Sequence, residues 1–336
     1  MVLRYIIILI LPLLSLFSED VLEDQDIKIP QENPKTKLEI LKLSQEGQEF
    51  LKLGKSKEAE IISQKIKNIS EQSAESYYIK AGSLFLNNDF RGAQKELEIG
   101  LKLNQNHDPS LFLLGLIFFK NHKFENALFY FEKASKEATY NPFYRYNLSL
   151  TYYILGNYLK ARIESETTIK LKENYYKAKI LLGNSLYKLN KKSDSYKIVK
   201  ELIDKKIEVN DIQLLYLKLL LEESKNYEEI FQILGRKNSL NIEEKRIIGN
   251  AYMEEGQYIK AIQFFKMVID NGMDTEEDNL NYLKSLIMIG KSDEAERLFM
   301  ELNKKNFRDK KIYLDTYYST LEKKYFIKQI YQPFPI

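Results

Sequence analysis

The chain has 336 residues, of which 44% are hydrophobic and 29% are charged, and this apolar fraction excludes an intrinsically disordered protein. Its 51 Lys and Arg residues against 48 Asp and Glu residues leave a net charge of +3, which gives no support to a nucleic-acid-binding protein. The absence of Cys excludes disulfides, thiolate metal sites and a Cys nucleophile.

The N-terminus has the pattern of a secretory signal peptide. Arg4 is the only charged residue before Glu19, and a short apolar run over residues 5–17 lies between them. This run is shorter than the ~20 apolar residues that span a bilayer, and the small Ser18 suits the last position before cleavage. We therefore expect residues 1–18 to be a signal peptide and the protein to be exported to the periplasm or the cell surface. An uncleaved membrane anchor is the alternative.

Residues 19–38 are predicted to form a flexible tether. Five carboxylates between positions 19 and 26 make this segment acidic, and Pro30 and Pro34 are expected to interrupt any helix. Such a tether would hold the folded part of the protein away from the export site or the membrane.

A 34-residue period organises the chain after the tether. A small residue recurs at this interval at Ala59, Ala93, Ala127, Ala161 and Ser195, and again at Ala261 and Ala295. The gap of 66 residues between Ser195 and Ala261 leaves room for one irregular repeat. Three positions before the small residue the chain has an aromatic residue at Phe90, Phe124, Tyr158 and Tyr258. Five positions before it the chain has a glycine at Gly54, Gly156, Gly256 and Gly290.

This pattern resembles the tetratricopeptide repeat over about eight repeats. The clearest copies are Leu114-Gly115 with Phe118, Phe124, Ala127, Phe131 and Ala134, and Ile248-Gly249 with Tyr252, Gly256, Tyr258, Ala261 and Phe265. The resemblance implies an all-α fold, a right-handed superhelical solenoid of antiparallel helix pairs over residues 39–308. The chain departs from the family pattern in having no Trp and in placing Ser165 at a position that is usually large and apolar.

Packing arguments favour helix pairs independently of the resemblance. Apolar residues recur at three- and four-residue spacing from Leu111 to Phe118 and from Phe124 to Ala134, which predicts two helices. The glycine between the two helices of a repeat can adopt a positive φ and so end the first helix, and Gly272 is expected to do the same between repeats. No helix pair is stable alone, so stability is expected to come from stacking.

The last third of the solenoid contains the irregular repeat and a predicted cap. Between residues 210 and 241, Ile230 occupies the position of the small residue, which predicts a wider helix pair. A diverged ordinary repeat and a hinge both remain open as interpretations. Residues 309–330 are predicted to form a capping helix that covers the last apolar face, followed by an extended tail over 331–336.

The sequence contains no arrangement of residues that is typical of an enzyme. His107 and His122 both fall in predicted turns, and no carboxylate spacing around them resembles a metal site. There is no glycine-rich phosphate loop, and no nucleophile lies beside a base in any recognisable motif. We therefore expect no enzymatic activity, no metal, no cofactor and no small-molecule substrate.

The resemblance implies that the first helix of each repeat lines the concave face of the superhelix. Two positions on this helix, seven residues apart, lie on the same side because they are separated by two turns. In four successive repeats these positions hold an aromatic residue in seven of eight places, Ile180 being the exception: Tyr78, Phe85, Phe112, Phe119, Tyr146, Tyr153 and Tyr187. We expect an exposed aromatic row that binds a helix or an extended peptide. The alternative is that these rings pack against neighbouring first helices.

The resemblance also indicates a candidate anion-binding site near the C-terminus. Arg246 and Asn250 are on one predicted helix, Asn281 is on the next first helix, and Lys311 is on the terminal helix. Tetratricopeptide domains that hold the C-terminal carboxylate of a peptide place basic and Asn side chains at such positions. Asp315 occupies the fifth place and would repel an anion. Ordinary solvated polar residues are the alternative.

Together these features predict a non-enzymatic protein–protein interaction scaffold, exported and tethered, with a protein or peptide partner bound in the groove of the superhelix. The second hypothesis is a membrane-anchored subunit of a cell-envelope assembly complex, which applies if the N-terminal segment is not cleaved. The N-terminus of the mature protein distinguishes the two.

Overall fold

The computed structural model of the protein describes residues 33–207, 210–304, 315 and 318–321. Over this part of the chain it has sixteen α-helices, one π-helical turn and no strand. The predicted all-α solenoid of antiparallel helix pairs is therefore confirmed. The described residues fall into two compact units, which divide between Lys191 and Lys192. The predicted signal peptide and residues 19–32 of the predicted tether lie outside the described residues.

The N-terminal unit consists of four helix pairs and the first helix of a fifth. Each helix packs against the next one along the chain, and first helices also touch first helices of neighbouring pairs, so the unit has a first-helix layer and a second-helix layer. The helices are α1 Pro34–Lys52, α2 Ser56–Ile69, α3 Ala74–Leu86, α4 Phe90–Leu103, α5 Asp108–Lys120, α6 Phe124–Glu137, α7 Pro142–Ile154, α8 Tyr158–Leu171 and α9 Tyr176–Lys188.

The C-terminal unit is less regular. Its helices α13 and α14, and α15 and α16, form ordinary antiparallel pairs, whereas the segment before them contains the π-helical turn. The helices are α10 Lys192–Asp204, α11 Asn210–Leu219, the π turn Leu220–Ser224, α12 Tyr227–Gly235, α13 Ile242–Glu254, α14 Tyr258–Asp270, α15 Glu276–Ile289 and α16 Ser292–Lys304.

The first helix begins earlier than the sequence predicts. Residues 34–38, expected to belong to the tether, are the first residues of α1. Pro34 does not interrupt this helix, because it occupies the first helical position, where its missing N–H has no intrahelical partner to lose. Asn33 caps the helix by accepting a hydrogen bond from the Lys35 N–H at 3.1 Å.

The small residues of the 34-residue period lie at the helix–helix contacts, as predicted. All seven, from Ala59 to Ala295, are fully or almost fully buried. The glycine twelve positions earlier allows the close approach of the second helix. A Cβ atom on Gly115 would lie 2.6 Å from the ring of Phe131, and one on Gly249 would lie 3.1 Å from the ring of Phe265.

Left-handed turn residues end the first helices at the same 34-residue interval. Gly54, Gly156, Gly256 and Gly290 have a positive φ at this position, and Gly272 has one after the second helix α14, which confirms both predictions. Non-glycine residues occupy the same register in the other repeats, with φ between 51° and 62°: Asn88, His122, Asn190 and Lys225.

The irregular repeat has an altered first helix and a short second helix. Helix α11 continues into the π turn, which ends at Lys225 in the left-handed conformation, and α12 has only 9 residues. Ile230 is completely buried at the position where the other repeats have a small residue. The Tyr216 hydroxyl donates to Glu229 at 2.8 Å and so joins α11 to α12. Whether the pair is wider or acts as a hinge stays a prediction.

Part of the predicted C-terminal cap is described. Asp315 and residues 318–321 are helical, and Leu321 packs against the core of the C-terminal unit that contains Leu286 and Phe299. The rest of the predicted capping helix over 309–330 and the predicted tail over 331–336 lie outside the described residues.

Candidate partner-binding face

The aromatic residues predicted to line a groove form two rows on the first-helix layer of the N-terminal unit. We call them the start row and the end row, after their position along each first helix. The start row consists of Tyr78 on α3, Phe112 on α5 and Tyr146 on α7. The end row consists of Phe85 on α3, Phe119 on α5, Tyr153 on α7 and Tyr187 on α9.

Start-row rings pack against the following repeat. The ring of Phe112 stacks on that of Tyr144 with centroids 4.3 Å apart, and Tyr146 lies 5.2 Å from Tyr175. Tyr78 meets the imidazole of His107 edge-on at 5.7 Å. The start row therefore holds each first helix against the beginning of the next one.

End-row rings pack within their own repeat. Three of the four meet, edge to face, the aromatic residue that begins the second helix, at centroid distances of 5.3 to 5.4 Å. The three pairs are Phe85 with Phe90, Phe119 with Phe124, and Tyr153 with Tyr158. This contact repeats because both members follow the 34-residue period.

These contacts correct the expectation that the whole row is exposed. Phe85, Phe119 and Tyr146 are buried, at 4%, 8% and 7% exposure, because their rings fill the space between helices. Tyr78, Phe112, Tyr153 and Tyr187 are half-buried and keep part of their surface accessible. Burial raises the pKa of Tyr153 to about 12, so its hydroxyl stays protonated near neutral pH. The predicted face thus alternates supporting rings with partly accessible ones.

A buried polar network, which the sequence analysis missed, joins four first helices. His107, just before α5, places Nε2 2.9 Å from the Glu75 carboxylate on α3 and Nδ1 2.6 Å from the Ser110 hydroxyl. The Ser44 hydroxyl of α1 donates to the same carboxylate at 3.5 Å. Beside it, the Tyr144 hydroxyl of α7 donates to Asp108 of α5 at 3.0 Å.

The network favours an ionised Glu75–His107 pair. Burial opposes charge on both groups, but the mutual attraction outweighs it, so the pKa of Glu75 is lowered and the pKa of His107 is raised. Burial raises the pKa of Asp108, which lies near the same carboxylate. With the imidazole protonated, Nε2 donates to Glu75 and Nδ1 donates to Ser110, so both ring N–H groups have an acceptor. The separation of 32 residues, close to one period, was the sequence signal for this contact.

The candidate anion site near the C-terminus does not have the predicted form. The Arg246 Nε–H donates to both Asp278 carboxylate oxygens at 2.8 and 2.9 Å. Nη1 donates to Glu243 at 2.5 Å, and Nη2 donates to the Met273 carbonyl at 3.1 Å. Two carboxylates therefore already neutralise this cation, and hydrogen bonding to Asp278 raises the pKa of Arg246. The arrangement links α13 to α15 and leaves Arg246 poorly suited to a further anion.

The two Asn residues of that candidate site are also engaged within the protein. The Asn281 amide, 6% exposed, donates to the Asn250 amide oxygen at 2.9 Å, so the two side chains bond to each other between α13 and α15. Asp315 is exposed, and Lys311 lies outside the described residues.

Enzyme-like and metal-binding arrangements are not found in the described parts of the chain. No group of three or more His, Asp or Glu residues there could hold a metal ion. His122 is exposed in the turn after α5, and its ring meets that of Phe124 edge-on at 5.8 Å. None of the described helices is both long and apolar enough to cross a membrane.

Comparison with protein families finds one match, which falls on the pair α5 and α6. Residues 108–138 match the family model described as the tetratricopeptide repeat. The pair α5–α6 is thus similar to a tetratricopeptide repeat. Because the other helix pairs follow the same 34-residue register, this match supports the tetratricopeptide repeat family for the chain. Members of this family generally serve as non-enzymatic scaffolds that bind proteins or peptides.

No curated protein sequence matches the chain significantly. Solved structures similar to the chain include a tetratricopeptide repeat protein from Parabacteroides merdae, at 14% identity and a TM-score of 0.46 over 74% of this chain and 99% of that one. They also include pilF of Pseudomonas aeruginosa, at 13% identity and a TM-score of 0.42 over 86% and 99%. A third is MamA of Desulfovibrio magneticus, at 20% identity and a TM-score of 0.42 over 51% and 95%.

Proposed function

We propose that this protein is an exported, non-enzymatic scaffold whose first-helix layer binds a peptide or protein partner. One observation carries the proposal: Tyr78, Phe112, Tyr153 and Tyr187 are half-buried at repeated positions of four successive first helices. The repeat places them along one side of the N-terminal unit, so a single extended or helical segment could touch several of them.

The supporting rings make this face suitable for recognition. The buried rings of Phe119 and Tyr146 fix the backbone under the accessible ones, so Phe112 and Tyr153 lose little conformational freedom when a partner binds. Aromatic side chains offer a large contact area for few rotatable bonds, and Tyr adds a hydroxyl that can hydrogen-bond. A pre-organised aromatic surface of this kind fits an amphipathic helix or an extended peptide.

The described polar groups support a binding role over a catalytic one. Catalysis needs a nucleophile beside a base and a place for the reacting atom. The one buried His in the described part of the chain, His107, is held between Glu75 and Ser110, and Arg246 is held by Asp278 and Glu243. Both clusters connect neighbouring helices.

Export is proposed from the sequence of the N-terminal segment. Arg4, the short apolar run over residues 5–17 and the small Ser18 support a cleaved signal peptide. Mass spectrometry of the protein from its native source is expected to find Glu19 as the first residue. A mature chain that begins at Met1 would favour the membrane-anchored envelope subunit.

Site-specific photo-crosslinking tests the binding face. A photoreactive phenylalanine analogue at Phe112 or Tyr153 is expected to give adducts with one partner in the native envelope. The matched controls place the same analogue at Phe129 and Tyr140, which are 50% and 85% exposed but are not on the first helices. Adducts at the control positions alone would contradict the proposal. Circular dichroism of each variant verifies that the helices are intact.

A further inference from the structure

Four first helices of the N-terminal unit, α3, α5, α7 and α9, differ in charge from the second helices that they pack against. The remaining first helix, α1, differs from these four in carrying the exposed carboxylates of Glu39, Glu46 and Glu49. Among the first helices α3, α5, α7 and α9 the only acidic residues are Glu75 and Asp108, whereas the second helices α4, α6 and α8 carry acidic and basic residues in nearly equal number. The same four first helices carry six basic side chains: Lys80, Lys120, Arg145, Lys177, Lys179 and Lys188.

Both acidic residues of these four helices are already engaged within the protein. Glu75 is 4% exposed and lies 2.9 Å from the imidazole of His107, and Asp108 accepts a hydrogen bond from Tyr144 at 3.0 Å. Neither carboxylate is therefore available to neutralise a cation at the surface. Helices α3, α5, α7 and α9 therefore present positive charge to an incoming partner.

Three of the six cations have no carboxylate partner among the described residues. Lys80 pairs with Glu96 at 2.7 Å and Arg145 with Glu164 at 3.0 Å, in each case on the second helix of the same repeat. For Lys120, Lys177 and Lys188 the described part of the chain contains no ion pair, and these three define what we call the basic set.

Lys120 connects the basic set to the aromatic rows. Its ammonium lies 5.1 Å from the centroid of the Phe85 ring and 4.8 Å from that of Phe90, both in the preceding repeat. Lys120 is half-buried, and burial lowers its pKa because its charge is incompletely solvated. A carboxylate placed nearby would offset that loss of hydration.

We infer that the partner segment is acidic, with carboxylates that meet Lys120, Lys177 and Lys188 and apolar side chains that meet Phe112 and Tyr153. This inference rests on the proposed function, since it assigns the chemistry of the segment that the same face binds. Charge complementarity on this layer steers association and selects against basic segments.

A nucleic acid is the other anionic occupant that such a surface could attract, and the geometry favours a peptide. Single-stranded nucleic acids bind to open ring faces along a continuous positive groove. Here the ring face of Phe112 is covered by Tyr144, and the basic set has only three members over three repeats.

A random peptide display library, selected on the full chain, tests the inference. Peptides enriched by the wild-type protein are expected to carry net negative charge together with apolar residues. The triple variant Lys120→Gln, Lys177→Gln, Lys188→Gln is expected to lose this bias and to bind a selected acidic peptide about tenfold more weakly. The matched control replaces Lys95, Lys102 and Lys136, three exposed residues of the second helices, by Gln and is expected to change the affinity less than twofold.

The outcomes separate the inference from the proposed function. Peptides that are enriched without negative charge, yet crosslink to position 112 or 153, would overturn the inference and leave the binding face standing. If no peptide is enriched, both the inference of an acidic segment and the proposed binding function are contradicted. If acidic peptides are enriched only by a chain that lacks residues 19–32, the acidic segment 19–26 of the full chain occupies the face. That result would overturn the inference that another molecule supplies the acidic segment. Displacement of the peptide by oligo(dT) at equal concentration would indicate a nucleic acid and also overturn the inference.

Discussion

The adjacent helix pairs α5–α6 and α7–α8 follow the same 34-residue period, but different contacts hold the two helices of each pair together. In α5–α6 the ring of Phe131 lies against Gly115, so closely that a Cβ on the glycine would be 2.6 Å from it. In α7–α8 serines take both places: Ser165 donates to Ser149 at 2.7 Å, and Ser149 donates to the Ala161 carbonyl at 2.6 Å. The contact in α5–α6 therefore depends on side-chain volume, and the contact in α7–α8 depends on hydrogen-bond geometry.

The two pairs also differ at the start and the end of their first helices. His107 precedes α5 and turns its side chain toward Glu75, whereas Asn141 precedes α7 and accepts from the Phe143 N–H at 2.9 Å. The left-handed turn after α5 uses His122, and the one after α7 uses Gly156. A repeat period therefore specifies where a contact is made and leaves open the chemistry that makes it.

Loss of the Phe131 contact in α5–α6 is expected to destabilise the protein more than loss of the Ser165 contact in α7–α8. Phe131→Ala removes a completely buried ring and leaves a cavity, so the free energy of unfolding should fall by about 3–5 kcal/mol. Ser165→Ala removes one hydrogen bond and should cost about 1 kcal/mol. Urea unfolding followed by circular dichroism measures both. Phe129→Ala, at a 50% exposed position on the same helix as Phe131, is the control; equal losses for Phe131 and Ser165 would contradict the comparison.

Loss of the ion pair before α5 is expected to cost more than loss of the cap before α7. His107→Ala leaves the Glu75 carboxylate buried without its partner, which should destabilise the protein by about 3–5 kcal/mol near pH 6. Asn141→Ala removes a helix cap and should cost about 1 kcal/mol. If the two variants unfold at the same urea concentration, the Glu75–His107 pair contributes no more than an ordinary cap.

The contribution of the ion pair should depend on pH in a defined direction. Because the pKa of His107 is raised above its ordinary value of 6.5, its contribution is complete below that pH and is lost as the pH rises through the folded value. Because the pKa of Glu75 is lowered from 4.5, its contribution is complete above that pH and is lost on acidification through the folded value.

Relative to the double variant Glu75→Gln, His107→Gln, the wild type should therefore be most favoured between about pH 4.5 and 6.5. Chemical unfolding of both proteins over a pH series measures the difference. A difference that does not change with pH would show that the pair is not ionised in the folded protein.

Substitutions in the turns after α5 and α7 should change the stability of the protein in opposite directions. At Gly156, with φ of 79° and nothing within 4 Å of an added Cβ, alanine should cost about 1 kcal/mol through backbone strain alone. His122→Gly relieves the same strain at φ of 57° and should stabilise the protein by about 0.5 kcal/mol. Thermal unfolding of both variants measures these changes. If His122→Gly is less stable than the wild type, the contact between His122 and Phe124 contributes more to stability than the backbone strain costs.

The sequence predicted the positions of the helices well because spacing alone determines them. The small residues and the turn glycines lie where the period places them, as do the aromatic residues that begin second helices at Phe90, Phe124, Tyr158 and Tyr258. The boundary at Pro34 was wrong, because a proline breaks a helix only when residues before it in the helix need its N–H.

The candidate face was harder to predict, since burial depends on neighbours that the period does not specify. Phe85, Phe119 and Tyr146 follow the same register as the accessible rings but are covered by their own or the next repeat. The bonds that engage Arg246 depend on Asp278, 32 residues later, and the bond between Glu75 and His107 spans the same interval. Such long-range pairs need a three-dimensional arrangement before they can be recognised.

The π turn at Leu220–Ser224 bears on how chains of this type can change length. The interval between the left-handed residues Asn190 and Lys225 is 35, one more than in the preceding repeats. A π turn holds one residue more per hydrogen-bonded ring than an α turn, so the added residue is accommodated where it occurs. Helices after it, such as the one that buries Ala261, keep their faces toward the core. The next interval, from Lys225 to Gly256, is 31 residues and coincides with the 9-residue helix α12. A repeat of this architecture can therefore change its length in two separate places, by a π turn in the first helix and by a shorter second helix.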